Sequence, residues 1–111
     1  MSLSKALETL MKLGLSRMDA QVYVYIAKKG PCTKKDLALA LKTTNKLLGQ
    51  SLRNLQTKGY VTSKMEKQTF FTAIQLGKII EDHVKAETEQ LQRIKQAKED
   101  YLSNKSSRID S

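Results

Sequence analysis

The spacing of apolar residues changes twice along the chain, and the order of the changes constrains the fold more than any other feature. Helical spacing fills residues 4–58, with interruptions at Gly14, at Gly30-Pro31 and at the tight connection Lys42-Thr43. Because glycine and proline end helices, this stretch predicts four short amphipathic helices rather than one long one.

The period changes to that of β-structure after the fourth helix. Residues 60–65 and 69–73 are rich in β-branched and aromatic side chains, and the polar residues 66–68 separate them, which predicts a β-hairpin. Helical spacing returns from 76 to 102. The order predicts a mainly α protein with a small β-hairpin, a winged helix-turn-helix plus a long C-terminal helix.

Three predicted helices begin with capping residues. Ser16 with Asp19, and Thr33 with Asp36, have the spacing of capping boxes, in which the hydroxyl and the carboxylate each accept a backbone N–H. Thr44 is the expected N-cap of a helix from 45 to 58, which Gly59 ends. We divide the chain into a winged-helix domain at 1–75, a long C-terminal helix at 76–102 and a flexible tail at 103–111.

The predicted helix at 45–58 has two unlike faces. Leu48, Leu52 and Leu55 form an apolar stripe for the core. The opposite face carries side chains that can bond base edges in the major groove. These candidate base-reading residues are Asn45, Lys46, Gln50 and Arg53. Gly49 falls on the same face, where it either permits close approach to a groove wall or is a substitution that the helix tolerates without a function. For the four polar residues, the alternative is an ordinary solvated helix surface.

Net charge separates the two parts of the chain. Residues 1–75 hold 13 Lys/Arg and four Asp/Glu, whereas residues 76–111 hold seven of each, so the whole excess of +9 lies in the first part. A basic domain joined to a balanced helix favours binding to a polyanion. The alternative is ordinary solubilising charge.

Most enzyme and membrane classes are excluded by composition. The chain has one cysteine, one histidine and no tryptophan, so we expect no enzyme, no cofactor and no metal site. No apolar run is long enough for a membrane span, and the N-terminus lacks the apolar core of a signal peptide, so a cytoplasmic protein is expected. We interpret Cys32 as a structural thiol; the alternative is a redox switch with a lowered pKa. We interpret His83 and Glu87 as a surface ion pair; the alternative is a metal that the two residues share.

Residues 36–61 resemble the helix-turn-helix of winged-helix transcriptional regulators of the MarR/ArsR/TrmB kind. The segment LGLSRMDAQVYV at 13–24 is closest to the start of TrmB-type domains, and the likeness covers about 4–77. It implies that the second helix of the motif reads the major groove, that the wing touches the DNA backbone or minor groove, and that the C-terminal helix dimerises. Lys42 and Thr43 depart from the usual glycine and apolar residue of the turn. Larger TrmB proteins add a sugar-sensing domain, for which 111 residues leave no room, so we expect no sugar sensing.

Phosphate contacts are expected from residues at helix N-termini and at the hairpin tip. The candidates are Thr33, Lys34, Lys35, Thr44, Lys64 and Lys67. For each lysine alone, the alternative is plain solvent exposure.

Residues at alternating spacings of four and three predict a coiled-coil seam in the last helix. The seam consists of Ile80, Val84, Glu87, Leu91, Ile94, Lys98 and Tyr101. In a parallel pair Glu87 would face Glu87 and Lys98 would face Lys98, whereas in an antiparallel pair Glu87 of one chain would face Lys98 of the other. The pattern therefore favours an antiparallel homodimer. The alternatives are packing on a DNA-binding domain or charges that reach solvent.

These observations predict a sequence-specific, homodimeric transcriptional regulator whose partner is double-stranded DNA, with no membrane contact and an unknown effector. Two-fold symmetry implies a near-palindromic site with half-sites about one turn apart. The alternative is an architectural chromatin protein, or a winged-helix protein-interaction module, without strong sequence preference.

Overall fold

The computed structural model describes residues 3–104. The chain divides into two compact units, an N-terminal unit of Met1–Leu76 and a C-terminal unit of Gly77–Ser111. The helices are α1 Leu3–Lys12, α2 Arg17–Lys29, α3 Lys34–Leu41, α4 Asn45–Thr57 and α5 Leu76–Asn104. The strands are β1 Cys32–Thr33, β2 Val61–Met65 and β3 Thr69–Ala73. The predicted fold class, mainly α with a small β-hairpin and a long last helix, is confirmed.

The two predicted capping boxes differ in the structure. At α3 the box is complete, because Thr33 Oγ1 accepts the Asp36 N–H at 3.2 Å and Asp36 Oδ2 accepts the Thr33 N–H at 3.2 Å. At α2 only the first half forms, with the Asp19 N–H donating to Ser16 Oγ at 3.1 Å. The prediction for the Asp19 carboxylate is wrong, since Oδ2 instead accepts from Asn54 Nδ2 of α4 at 3.4 Å.

The connection between α3 and α4 is a left-handed turn at Lys42. This residue has φ 51° and ψ 48°, and it is the one non-glycine residue with positive φ in the described range. Its N–H donates to Ala38 O, and the Thr43 N–H donates to the same oxygen at 3.2 Å. The turn therefore forms without the glycine that such a conformation usually favours.

The predicted hairpin is confirmed, and a third strand joins it. Strands β2 and β3 pair antiparallel with Val61 opposite Ala73 and Met65 opposite Thr69. The two-residue strand β1 pairs antiparallel with β3 on its other edge, giving the order β1-β3-β2. Sequence spacing did not predict β1.

The core of the N-terminal unit is built from one face of each helix and one side of the sheet. Leu10 of α1, Ile26 of α2, Leu37 of α3, and Leu48 and Leu55 of α4 are all fully buried. Val61 and Phe71 bury the matching side of the hairpin. Not every apolar residue of these helices is in the core, since Ala27 of α2 is exposed and Met11 of α1 is 42% exposed.

Helix α5 runs two residues beyond the predicted end. Ser103 and Asn104, which we expected in a flexible tail, are the last residues of the helix. The rest of the predicted tail, 105–111, lies outside the described residues. In the part of the chain that is described, no helix combines the length and apolar character needed to cross a membrane.

Candidate nucleic-acid interface

Helix α4 is held in place by its apolar side. Leu48, Leu52 and Leu55 are 0 to 3% exposed, and α4 packs on α2, α3 and β2. Its N-terminus is fixed by Thr44, whose side chain accepts the Leu47 N–H at 3.2 Å. Because three elements and a cap fix the helix, the side chains on its other face project from a rigid support.

The four candidate base-reading residues of α4 are all exposed. Their side chains form no hydrogen bond or ion pair with other residues between 3 and 104; they are Asn45, Lys46, Gln50 and Arg53. Two other polar side chains of the same helix are engaged, since Asn54 donates to Asp19 and Gln56 Nε2 donates to Ser63 Oγ at 3.1 Å. The residues that periodicity assigned to DNA are therefore among those that the fold leaves available.

Gly49 is buried, although the sequence placed it on the exposed face with these residues. A Cβ added at Gly49 would lie 3.2 Å from Lys34 Nζ and 3.6 Å from the Nη1 of Arg53. The side chain of Lys34, which comes from the first residue of α3, therefore covers the glycine. The periodicity of α4 alone could not place a side chain that arrives from another helix.

The candidate phosphate contacts at α3 lie in unlike surroundings. Thr33 is 8% exposed, and its hydroxyl accepts the Asp36 N–H in the capping box. Lys34 and Lys35 are exposed in the first turn of α3, where unpaired backbone N–H groups and the helix dipole favour an anion. The two lysines are thus the exposed members of this group. Thr44, the remaining helix-terminal candidate, is exposed and acts as the N-cap of α4.

The hairpin tip carries two exposed lysines. Lys64 lies on β2, and its Nζ is 3.8 Å from Glu66 Oε1 with both side chains largely exposed. Lys67 lies in the turn between β2 and β3 and is also exposed. Surface ion pairs of this kind are weak and screened by salt, so Lys64 remains available to a phosphate.

Cys32 is buried in β1. Burial raises the pKa of the Cys32 thiol above its ordinary value, and the carboxylate of Asp36 acts in the same direction. The lowered pKa that a redox switch would need is therefore absent, and the geometry agrees with a structural thiol.

The predicted seam of α5 is largely exposed in the single chain. Val84, Leu91, Ile94 and Tyr101 are 45 to 56% exposed, whereas Ile80 is half-buried. Of the two charged seam positions, Glu87 has its Oε1 3.1 Å from His83 Nε2, which is the contact expected of a surface ion pair if the histidine is protonated. The seam is therefore an apolar stripe with two charged positions, and most of its apolar side chains are exposed in the single chain.

Helices α2, α3 and α4 pack on one another, α3 and α4 form a helix-turn-helix, and β2 and β3 form a wing. Together these elements define a winged-helix domain. Residues 10–76 match the family described as sugar-specific transcriptional regulator TrmB. Since this match covers more than half of the chain, the protein belongs to the TrmB family of transcriptional regulators. Among curated proteins, none matches the chain significantly.

Solved structures with the same fold include TrmBL2, an archaeal chromatin protein described as having a novel mode of DNA binding. It is 20% identical with a TM-score of 0.76, covering 93% of this chain and 41% of that one. MepR of Staphylococcus aureus in complex with DNA is 20% identical with a TM-score of 0.55, covering 94% and 86%. A MarR-like regulator from Thermotoga maritima is 19% identical with a TM-score of 0.55, covering 96% and 91%. This chain thus spans well under two thirds of the length of TrmBL2.

Proposed function

We propose that the protein is a sequence-specific, double-stranded DNA-binding transcriptional regulator that acts as a homodimer in the cytoplasm and catalyses no reaction. The observation that carries this proposal is the exposed face of α4, where four polar side chains without internal partners stand on a buried apolar anchor. Helix α4 would enter the major groove, and the first turn of α3 and the wing would contact phosphates.

A second candidate function is an architectural chromatin protein without strong sequence preference. The likeness to TrmBL2, whose description names a chromatin protein, favours it. The two functions differ in how strongly the protein prefers one sequence. A regulator binds its operator about 10³-fold or more tightly than random DNA, whereas an architectural protein does not.

Selection of bound duplexes from a random-sequence pool tests both functions. A regulator enriches a near-palindromic sequence, whose affinity is then compared with that of random DNA at several salt concentrations. A pool that binds but stays unenriched supports the architectural function. A chain that retains no DNA at low salt contradicts both.

The homodimer is proposed on the seam of α5. Four large apolar side chains that are about half exposed in the single helix would be covered by a second copy, and covering each one stabilises by an amount on the order of 1 kcal/mol. In an antiparallel pair centred between Leu91 and Ile94, Glu87 of one copy meets Lys98 of the other. The two N-terminal units would then lie at opposite ends of the paired helices.

A further inference from the structure

We infer that Lys34 and Arg53 together form one binding site for a DNA backbone phosphate, and that Gly49 is the residue that makes room for it. This inference rests on the proposed DNA binding and adds to it a specific anion site at the junction of α3 and α4. It also reassigns Arg53 from base reading to phosphate binding.

The site is formed by two helices that meet at a residue without a side chain. Lys34 begins α3 and Gly49 lies in the middle of α4. The ammonium of Lys34 and the guanidinium of Arg53 lie 3.2 and 3.6 Å from the same point, the position of a Cβ on Gly49. The two cationic nitrogen atoms are therefore within about 7 Å of each other.

Two like charges at this distance repel each other, and a bound anion would offset that repulsion. Neither side chain pairs with a carboxylate in the range 3–104. Asp36, the one acid of α3, accepts the Thr33 N–H and closes the capping box. A phosphodiester oxygen has the charge and the acceptor atoms to bind both cations, since Lys donates from a point charge and Arg from a planar fork.

Gly49 has helical geometry, so no left-handed conformation explains it. Glycine in a helix interior is less favourable than alanine. An alanine methyl here would lie 3.2 Å from Lys34 Nζ, which is tighter than ordinary van der Waals contact. The ammonium would have to move aside, which a flexible lysine does without disturbing the backbone. The absence of a side chain at Gly49 therefore leaves room for the Lys34 ammonium to lie beside Arg53.

Binding of the full chain to a random-sequence duplex, measured against salt, tests the inference. Lys34→Gln should lower the slope of log K against log salt by about one unit. Gly49→Ala should weaken binding by no more than Lys34→Gln does, and adding it to Lys34→Gln should cause no further loss. Arg53→Ala should weaken binding to operator and random DNA alike.

Thermal unfolding separates this positioning role from a structural one. Because alanine favours the helix, Gly49→Ala should unfold at a temperature no lower than the parent while binding more weakly. The matched control is Gly77→Ala in α5, where an added Cβ has no atom within 4 Å and DNA affinity should stay unchanged.

Four results overturn the site while the parent chain still binds DNA. The first is that Gly49→Ala binds DNA as tightly as the parent. The second is that the double variant loses more affinity than Lys34→Gln alone, which would mean that the alanine methyl contacts DNA directly. The third is an unchanged salt slope for Lys34→Gln, and the fourth is a loss of affinity in Arg53→Ala for the operator alone. A parent chain that binds no DNA contradicts the proposed function itself, which is a distinct result.

Discussion

The N-terminal unit and helix α5 differ in how far they bury the large aliphatic side chains of their apolar stripes. Leu48 and Leu55 of the N-terminal unit are fully buried, whereas Leu91 and Ile94 of α5 are 53% and 55% exposed. The charge differs as well, because residues 1–75 hold the whole excess of +9 and the rest of the chain is balanced. The N-terminal unit buries an apolar core and is strongly basic, whereas residues 76–111 are balanced in charge and α5 leaves an apolar stripe exposed.

We infer that the two regions recognise different partners, a polyanion for the N-terminal unit and an apolar surface for α5. The N-terminal unit has a core of its own, so its surface is free to carry cations and polar side chains for a polyanion. A lone helix has no core, and tertiary packing supplies most helical stability in proteins. We therefore expect α5 to be the part of the chain that gains most stability from packing on a second molecule.

The largest effect is expected from the same substitution made in both regions. Leu55→Ala should lower the free energy of unfolding by about 2–5 kcal/mol, because it leaves a cavity in a closed core. Leu91→Ala should leave the unfolding of the N-terminal unit unchanged and weaken self-association. Denaturant unfolding and sedimentation equilibrium measure the two quantities. Equal losses of unfolding free energy would contradict the division between the regions.

Within the N-terminal unit, Gln50→Ala should cost about 1–3 kcal/mol of operator binding and much less of random-DNA binding, if Gln50 reads a base. Gln56→Ala is the matched control, since Gln56 lies on the same helix but donates to Ser63. It should leave the preference for the operator unchanged. The measurement is a pair of binding isotherms on operator and random DNA. Equal losses on both for Gln50→Ala would leave it only a phosphate contact.

Smaller and less specific effects are expected from the lysines of the basic unit. Lys35→Gln and Lys67→Gln should each weaken binding to every sequence and lower the salt slope by about one unit. Lys95→Gln removes the same charge from α5 and should leave the slope unchanged. If Lys95→Gln changed the slope as much as the other two, the DNA-binding charge would not be confined to the N-terminal unit.

Sequence periodicity predicted the helices of the N-terminal unit because local signals agree with their packing. Thr33 and Asp36 close a capping box as their spacing predicts, and Leu48, Leu52 and Leu55 are buried as their stripe predicts. These features depend on residues three or four apart, which a helix brings together wherever it lies.

Features that depend on distant residues could not be predicted in the same way. Asp19 has the spacing of a box, but Asn54 from α4 donates to it. Lys42 adopts a left-handed conformation that its side chain does not favour, and β1 is a strand only because β3 lies beside it. At the candidate site, the exposed face of α4 follows from its period, whereas the cover of Gly49 by Lys34 requires the placement of α3.

The smallest effect concerns the charges of the α5 seam, where each exposed ion pair contributes about 0.2–1 kcal/mol. In an antiparallel dimer Glu87 and Lys98 form two such pairs by symmetry, so Glu87→Lys alone or Lys98→Glu alone converts both into repulsions. The double variant restores both. In a parallel dimer each of the two positions faces the same position of the partner chain, so every variant exchanges one like-charge pair for another.

His83 contacts Glu87 within one chain, and the double variant does not restore that contact. Recovery of the dimerisation constant by the double variant at low salt, measured by sedimentation equilibrium, would therefore report the pair between chains alone. Single variants that dimerise like the parent would rule out the antiparallel register.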